Sequence, residues 1–169
     1  VQKAHQKAAA LGFTIPLEKV MVCASHTHSG PGAISKKLVW QVIAADLHKN
    51  SVSDHITAAI AQAMIDAETA MQPVSIGVGN AQVVGATRNR RHSDSPNLNV
   101  DSVDTEMVVV RVDTANGTPL ASVWNFAVHG THFGDSNLKY SADIMGSATN
   151  KAEAQGAGVC LFVNGAEGD

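Results

Sequence analysis

The chain runs Val20-Met21-Val22-Cys23-Ala24 and then breaks abruptly into Ser25-His26-Thr27-His28-Ser29-Gly30-Pro31-Gly32. An apolar, Val-rich run bounded by polar and turn residues predicts a buried strand over residues 20–25. If period-two alternation continues past Ser25, His26 and His28 fall on one face of the chain. Gly30, Pro31 and Gly32 can continue neither a strand nor a helix interior, so a turn follows. A strand end that brings two imidazoles to one place, with small residues turning behind it, is a way to build a metal or acid–base site. Solvated or backbone-bonded histidines are the competing reading of any His-x-His.

Composition narrows the function classes. The chain has 169 residues with 44% apolar and 16% charged content, a globular composition with enough chain for one domain and a core. Aromatics are only 4%, so Ala, Val, Ile, Leu and Met must build that core. A net charge of −3 and a pI near 6.2 offer no basic field for nucleic acid. The local basic cluster is Arg88, Arg90, Arg91 and His92. No apolar run reaches the ~18 residues of a membrane span. Cys23 and Cys160 sit inside apolar runs and read as buried free thiols. The chain opens within a helix-like pattern, without Met or signal peptide, and stops at Gly165-Ala166-Glu167-Gly168-Asp169. It reads as a fragment, truncated at both ends, of a longer protein.

Taken in order, residues 2–12 are rich in Ala, Lys and Gln and predict a helix ending at Gly12. Residues 34–50, with Trp40, Val42 and Ile43, fit either a short helix or the cover of a pocket. Apolar residues recur at helical spacing from Val52 through Ile56, Ile60, Met64 and Met71. Ser51 or Ser53 is the expected N-cap and Pro73 the stop, with His48 and His55 at the surface. Residues 74–85 predict a strand whose Gly77, Gly79 and Gly85 point to close backbone approach or a bulge. Thr87-Arg88-Asn89-Arg90-Arg91 is either a solvated loop or a clamp for an anion or carbonyl oxygen. Residues 106–114 and 120–129 form two strands around Asn116-Gly117, a hairpin turn. The second ends in His129-Gly130-Thr131-His132, repeating the logic of the first histidine segment. Ser141 or Asp143 caps a further helix, and residues 159–163 form a last buried strand. A hairpin among strands that end in polar loops predicts an α/β fold with mixed β-sheet layers flanked by helices.

These residues resemble the neutral/alkaline ceramidase family. Ser25-His26-Thr27-His28-Ser29-Gly30-Pro31-Gly32 is similar to its His-Thr-His-Ser-Gly-Pro-Gly segment, and Thr87-Arg88-Asn89-Arg90 to its Arg-Asn-Arg segment. Val123-Trp124-Asn125-Phe126-Ala127-Val128-His129-Gly130-Thr131 resembles its second zinc-histidine strand. Ser141-Ala142-Asp143 with Gly146 matches its Ser-x-Asp-x-x-Gly helix start. Phe162-Val163-Asn164-Gly165-Ala166-Glu167-Gly168-Asp169 is similar to the approach to its catalytic serine. The motifs occur in family order over residues 15–169.

The resemblance implies a zinc amidase that cleaves the N-acyl bond of ceramide to sphingosine and a fatty acid. By motif position His26 and His129 are zinc ligands. His28 supports the reacting water or substrate, and Arg90 holds a substrate or product oxygen. The family's other ligands, a Glu and a Tyr, come from a later part of its catalytic domain, so residues 1–169 alone are expected to be inactive. His132 stands where the family has residues of Ser-Met type. The resemblance further implies a ceramide-like lipid substrate, peripheral contact with a membrane surface, and a secreted, periplasmic or cell-surface location. The chemistry is coherent, since zinc on neutral imidazoles activates water and polarises an amide carbonyl, and arginine can hold oxyanion charge. The rivals are a related metal hydrolase acting on another amide or ester, and a noncatalytic binding domain that kept the scaffold. A metal-dependent TIM barrel fails, because that fold needs repeated βα units over ~250 residues where Asn116-Gly117 makes a hairpin.

Overall fold

The computed structural model describes residues 1–134 and 136–168. It divides into two compact units, one of residues 1–22 and 30–72, the other of residues 23–29 and 73–169. Asp169, the last residue of the serine-approach motif, lies outside the described residues.

The first unit is helical. α1 (Gln2–Ala9) packs on α3 (Asn50–Thr69), with a short α2 (Leu38–Trp40) continuing into a π turn over Gln41–Ala45. Ala8, Phe13 and Ala61 form the buried centre, and Ile15, Val20, Met64 and Ile65 close around it. Small residues at the α1–α3 contact let Phe13 fill the space between helices. His5 joins in through its Nε2, 2.8 Å from the Ile15 carbonyl, and meets the Phe13 ring edge-on. Glu68 ties α3 to the segment after α1 by accepting from the Thr14 N–H and hydroxyl.

Two helix ends differ from expectation. Lys49, not a serine, takes the N-cap position of α3 and makes no side-chain cap bond. Ser53 lies inside the first turn, its hydroxyl 3.2 Å from His48 Nε2. The helix closes at Thr69, ahead of Pro73, with the Ala70 N–H turned back to the Asp66 carbonyl and the Met71 N–H to the Glu68 carbonyl. His55 is exposed and His48 half-buried. Residues 34–50 resolve as the short helix, and Trp40, Val42 and Ile43 are exposed.

The second unit is a four-stranded mixed sheet, β1 (Val74–Gln82), β2 (Glu106–Thr114), β3 (Pro119–Phe126) and β4 (Val159–Asn164), in the order β1-β2-β3-β4. The first two pairings are antiparallel and β3 pairs parallel with β4. The parallel pair requires a crossover, which α4 (Asp143–Ala154) supplies. The hairpin lies where Asn116-Gly117 puts it, with Gly117 at φ +81° as its turn demands. Trp124 is seated by Phe162, ring centroids 4.5 Å apart, and by donating its Nε1–H to the Thr149 hydroxyl. Met145 of α4 is fully buried. The α/β expectation with a mixed sheet and flanking helices is met.

Three local readings are corrected. No ladder forms over residues 20–25; the local partner is a single parallel bridge from Thr27 to Gly130. Apolar patterning describes a segment's surface and cannot supply the neighbouring edge that defines a strand. Met21 is accordingly 77% exposed, and Cys23 is an exposed free thiol while Cys160 is buried as expected. The irregularity expected at the β1 glycines sits instead between Val112 and Asp113 of β2, and a Cβ on Gly77 or Gly79 would meet nothing within 4 Å. Among the described residues no helix is long and apolar enough to cross a membrane.

Candidate metal centre

The extended backbone does not persist past Ser25. His26 sits at φ +60°, in the left-handed region that non-glycine residues rarely take. The kink still aims both imidazoles of the motif at one point. His28 N–H donates to the Gly130 carbonyl at 2.9 Å, and the Thr27 hydroxyl donates to the Ser141 carbonyl at 2.8 Å. Ser29 is buried; its carbonyl accepts from Ser141 N–H and its hydroxyl oxygen from the Asn137 amide. The first histidine segment is thereby sewn along residues 129–141.

His129 arrives from the other side, just past the end of β3. Gly165 N–H donates to the Phe126 carbonyl at 3.0 Å, and Asn164 Oδ1 accepts from Val128 N–H at 3.3 Å, so the end of β4 holds the end of β3. Gly130 is a contact glycine. A Cβ there would lie 2.8 Å from the His26 carbonyl oxygen, from Thr27 Cα and from Met145 Cε. Asp143, only 4% exposed and at φ +55°, accepts from His132 N–H and Ile144 N–H. Ala142 is the N-cap of α4, so Asp143 anchors the 130s loop where a helix cap was expected.

The three Nε2 atoms converge. His26 and His28 each stand 3.1 Å from His129, and 3.4 Å from one another. Imidazole nitrogens held tetrahedrally at about 2.0–2.1 Å from zinc would stand about 3.3 Å apart, so the residues present fit such an ion. His26, His28 and His129 form a group that could hold a metal ion. The family resemblance implies His26 and His129 as ligands and His28 as their support; the geometry gives His28 an equally placed nitrogen.

Its surroundings shift His28 toward the neutral form. Its pKa is held below the ordinary 6.5 by desolvation first, then by the neighbouring His129, His26 and Arg90, against an opposing pull from Glu167. In the metal-free protein an NMR titration should place the His28 midpoint below 6.5. The folded state disfavours protonated His28 and the unfolded chain does not. This contribution to stability is therefore whole above about 6.5 and falls away as pH drops toward the folded value. A midpoint at or above 6.5 would show that crowding of the imidazoles has no such effect.

Beside the cluster lies a cavity of about 740 Å³, with Arg88, Arg90, His129, His132 and Glu167 on its walls. Buried Asn89 sets this arginine pair: its N–H donates to Val100, its Nδ2 to Ser102, and its Oδ1 accepts from Arg91 N–H. Arg91 lies off the cavity beside Asp94, and His132 is exposed on its rim. Arg88 and Arg90 both line the cavity and are exposed there.

Sequence reasoning missed Glu167. Its Oε2 lies 2.7 Å from His129 Nδ1 and its Oε1 3.8 Å from His26 Nε2. The signal was present but indirect. His129 follows one strand of a parallel pair and Glu167 follows the other, and parallel neighbours end side by side.

Comparison with known proteins bears on the family and the fold. The family model "Neutral/alkaline non-lysosomal ceramidase, N-terminal" matches residues 6–164. Neutral ceramidase B of Dictyostelium discoideum is 29% identical over 143 residues, covering 80% of this chain and 20% of that protein. Neutral ceramidase of Pseudomonas aeruginosa is 30% identical over 138 residues, covering 77% and 20%. The chain thus spans about a fifth of the length of these curated relatives. The crystal structure of the Pseudomonas aeruginosa enzyme superposes with a TM-score of 0.86 at 26% identity, over 99% of this chain and 28% of that one. A ceramidase complexed with C2 gives 0.82 at 27% identity, with the same coverage. A family model that spans nearly the whole sequence, joined to the fold of a solved neutral ceramidase, places this chain in the neutral/alkaline non-lysosomal ceramidase family.

Proposed function

We propose that the protein carrying this chain is a zinc-dependent amidase that cleaves the N-acyl bond of ceramide, yielding sphingosine and a free fatty acid. The chain would be part of its N-terminal catalytic region. The observation that carries the reading is the convergence of three imidazole nitrogens within 3.4 Å of one another beside a cavity walled by two arginines.

His26 and His129 would hold zinc, a division of roles that follows the family resemblance, since all three nitrogens are within reach. Zinc in such a site supplies a Lewis acid for the amide carbonyl and acidifies water. His28, shifted toward the neutral form by its surroundings, would accept a proton from the attacking water at Nε2 and pass it to the leaving amine. That shuttle suits an imidazole with a pKa below neutrality. Arg90 would donate to the amide oxygen as charge develops there, and to the fatty-acid carboxylate afterwards. The substrate would be a ceramide-like lipid met at a membrane surface, by peripheral contact, in a secreted, periplasmic or cell-surface setting.

The test is hydrolysis of a fluorogenic N-acylsphingosine by the full-length protein, with and without a chelator. Turnover lost to chelator and restored by zinc is the expected result. Bound zinc without turnover would overturn the substrate assignment and point to another amide or ester. Absence of both would leave a binding domain.

A further inference from the structure

We infer that Glu167 is the positioning residue of His129, holding its ring in the tautomer that leaves Nε2 free to face the other two imidazoles. The tautomer assignment stands on this chain's geometry alone; its consequence for metal affinity rests on the zinc reading above.

Two oxygens of Glu167 face Nδ1 of His129: the backbone carbonyl accepts its hydrogen bond at 3.3 Å, and the carboxylate Oε2 stands 2.7 Å away as a charge neighbour outside hydrogen-bond geometry. An imidazole nitrogen that meets a carbonyl acceptor beside a carboxylate charge carries the proton, which leaves the lone pair on the opposite nitrogen. That opposite nitrogen is the one 3.1 Å from both His26 and His28. A carboxylate behind a histidine ligand also orients the ring and raises its basicity.

The support is built into the fold. Glu167 is 16% exposed at its side chain, so water competes weakly for the carboxylate. Its loop leaves β4 through Gly165, whose missing side chain lets the backbone sit against Ala127; a Cβ there would fall 2.9 Å from Ala127 N. The Gly165 and Asn164 bonds to Phe126 and Val128 then fix the two chains within three residues of His129 and of Glu167. Carboxylate and imidazole are thus delivered by the ends of adjacent parallel strands, with no long flexible element between them.

The experiment uses full-length protein labelled with ¹⁵N on its histidine rings, metal-free, at a pH where the imidazoles are neutral. His129 should show its proton on Nδ1. In Glu167→Ala that preference should be lost. Zinc, titrated alone, should bind about 10–100-fold more weakly to this variant. Glu167→Gln, which keeps the shape and a neutral acceptor, should fall between Glu167→Ala and wild type. It carries the test if Glu167→Ala fails to fold. His129 keeping its tautomer and zinc affinity unchanged in both variants would overturn the proposal. Wild-type protein that binds no zinc would refute the metal reading, while the ring spectra would still decide whether Glu167 sets the tautomer.

Discussion

His129→Ala in the full-length protein should reduce hydrolysis of N-acylsphingosine by roughly three orders of magnitude or more, and zinc retained through gel filtration should fall with it. The expected loss is large because His129 is the hub of the cluster. Both other imidazole nitrogens lie 3.1 Å from it, and it alone comes from the β3 side. Removing it leaves two imidazoles from one short segment and takes away the nitrogen that the β3 side contributes to the cluster. His55→Ala, on the exposed side of α3, serves as the control and should retain both activity and metal. Loss of activity with full zinc occupancy would show that His129 acts on substrate and is not a ligand. Unchanged activity and zinc would remove it from the site altogether.

Gly130→Ala should be nearly as damaging, without touching a titratable group. The added Cβ would meet the His26 carbonyl and Thr27 Cα at 2.8 Å. Those are backbone atoms, and they can yield only if the histidine segment moves away. The Thr27 bridge and the His28 N–H bond to the Gly130 carbonyl would open with it. The expected cost is about 1–3 kcal/mol of unfolding free energy, the range for forced overpacking, measured by denaturant titration. Zinc affinity should fall in parallel as the imidazoles separate. Gly79→Ala is the matched comparison: in mid β1 its Cβ meets nothing within 4 Å, so stability should hold or rise slightly. Equal behaviour of the two variants would show that the contact at Gly130 carries no energetic weight.

What could be read in advance follows from which information is local. α1, α3 and α4 are visible in their apolar spacing, and the β2–β3 turn in Asn116-Gly117, because each needs only its own residues. The three histidines were legible as polar residues closing apolar runs, though only folding could show how closely His26, His28 and His129 meet. Features that depend on a neighbour were not legible. Residues 20–25 carry a strand's composition but no ladder forms there. Cys23 is exposed for the same reason. The bulge at Val112 depends on how β2 meets β3, and glycines in β1 were a misleading sign of it. Asp143 looks like a helix cap because its sequence position allows it; its bond to His132 N–H depends on a loop eleven residues earlier. Glu167 needed the parallel pairing of β3 with β4 before it could be placed behind His129.

The distance along the chain between the two halves of the cluster also sets a timetable. His26 precedes His129 by 103 residues and His28 precedes it by 101. At roughly 5–20 residues per second of synthesis, that gap is roughly 5–20 s on the ribosome. Throughout it the nascent chain displays a bare imidazole pair, which discriminates little among divalent ions because selectivity comes from finished geometry. The cluster closes only after β3 has emerged, and the carboxylate behind His129 follows after β4. On the zinc reading proposed above, metal selection would be an event of late folding, decided once two distant stretches of one polypeptide have met.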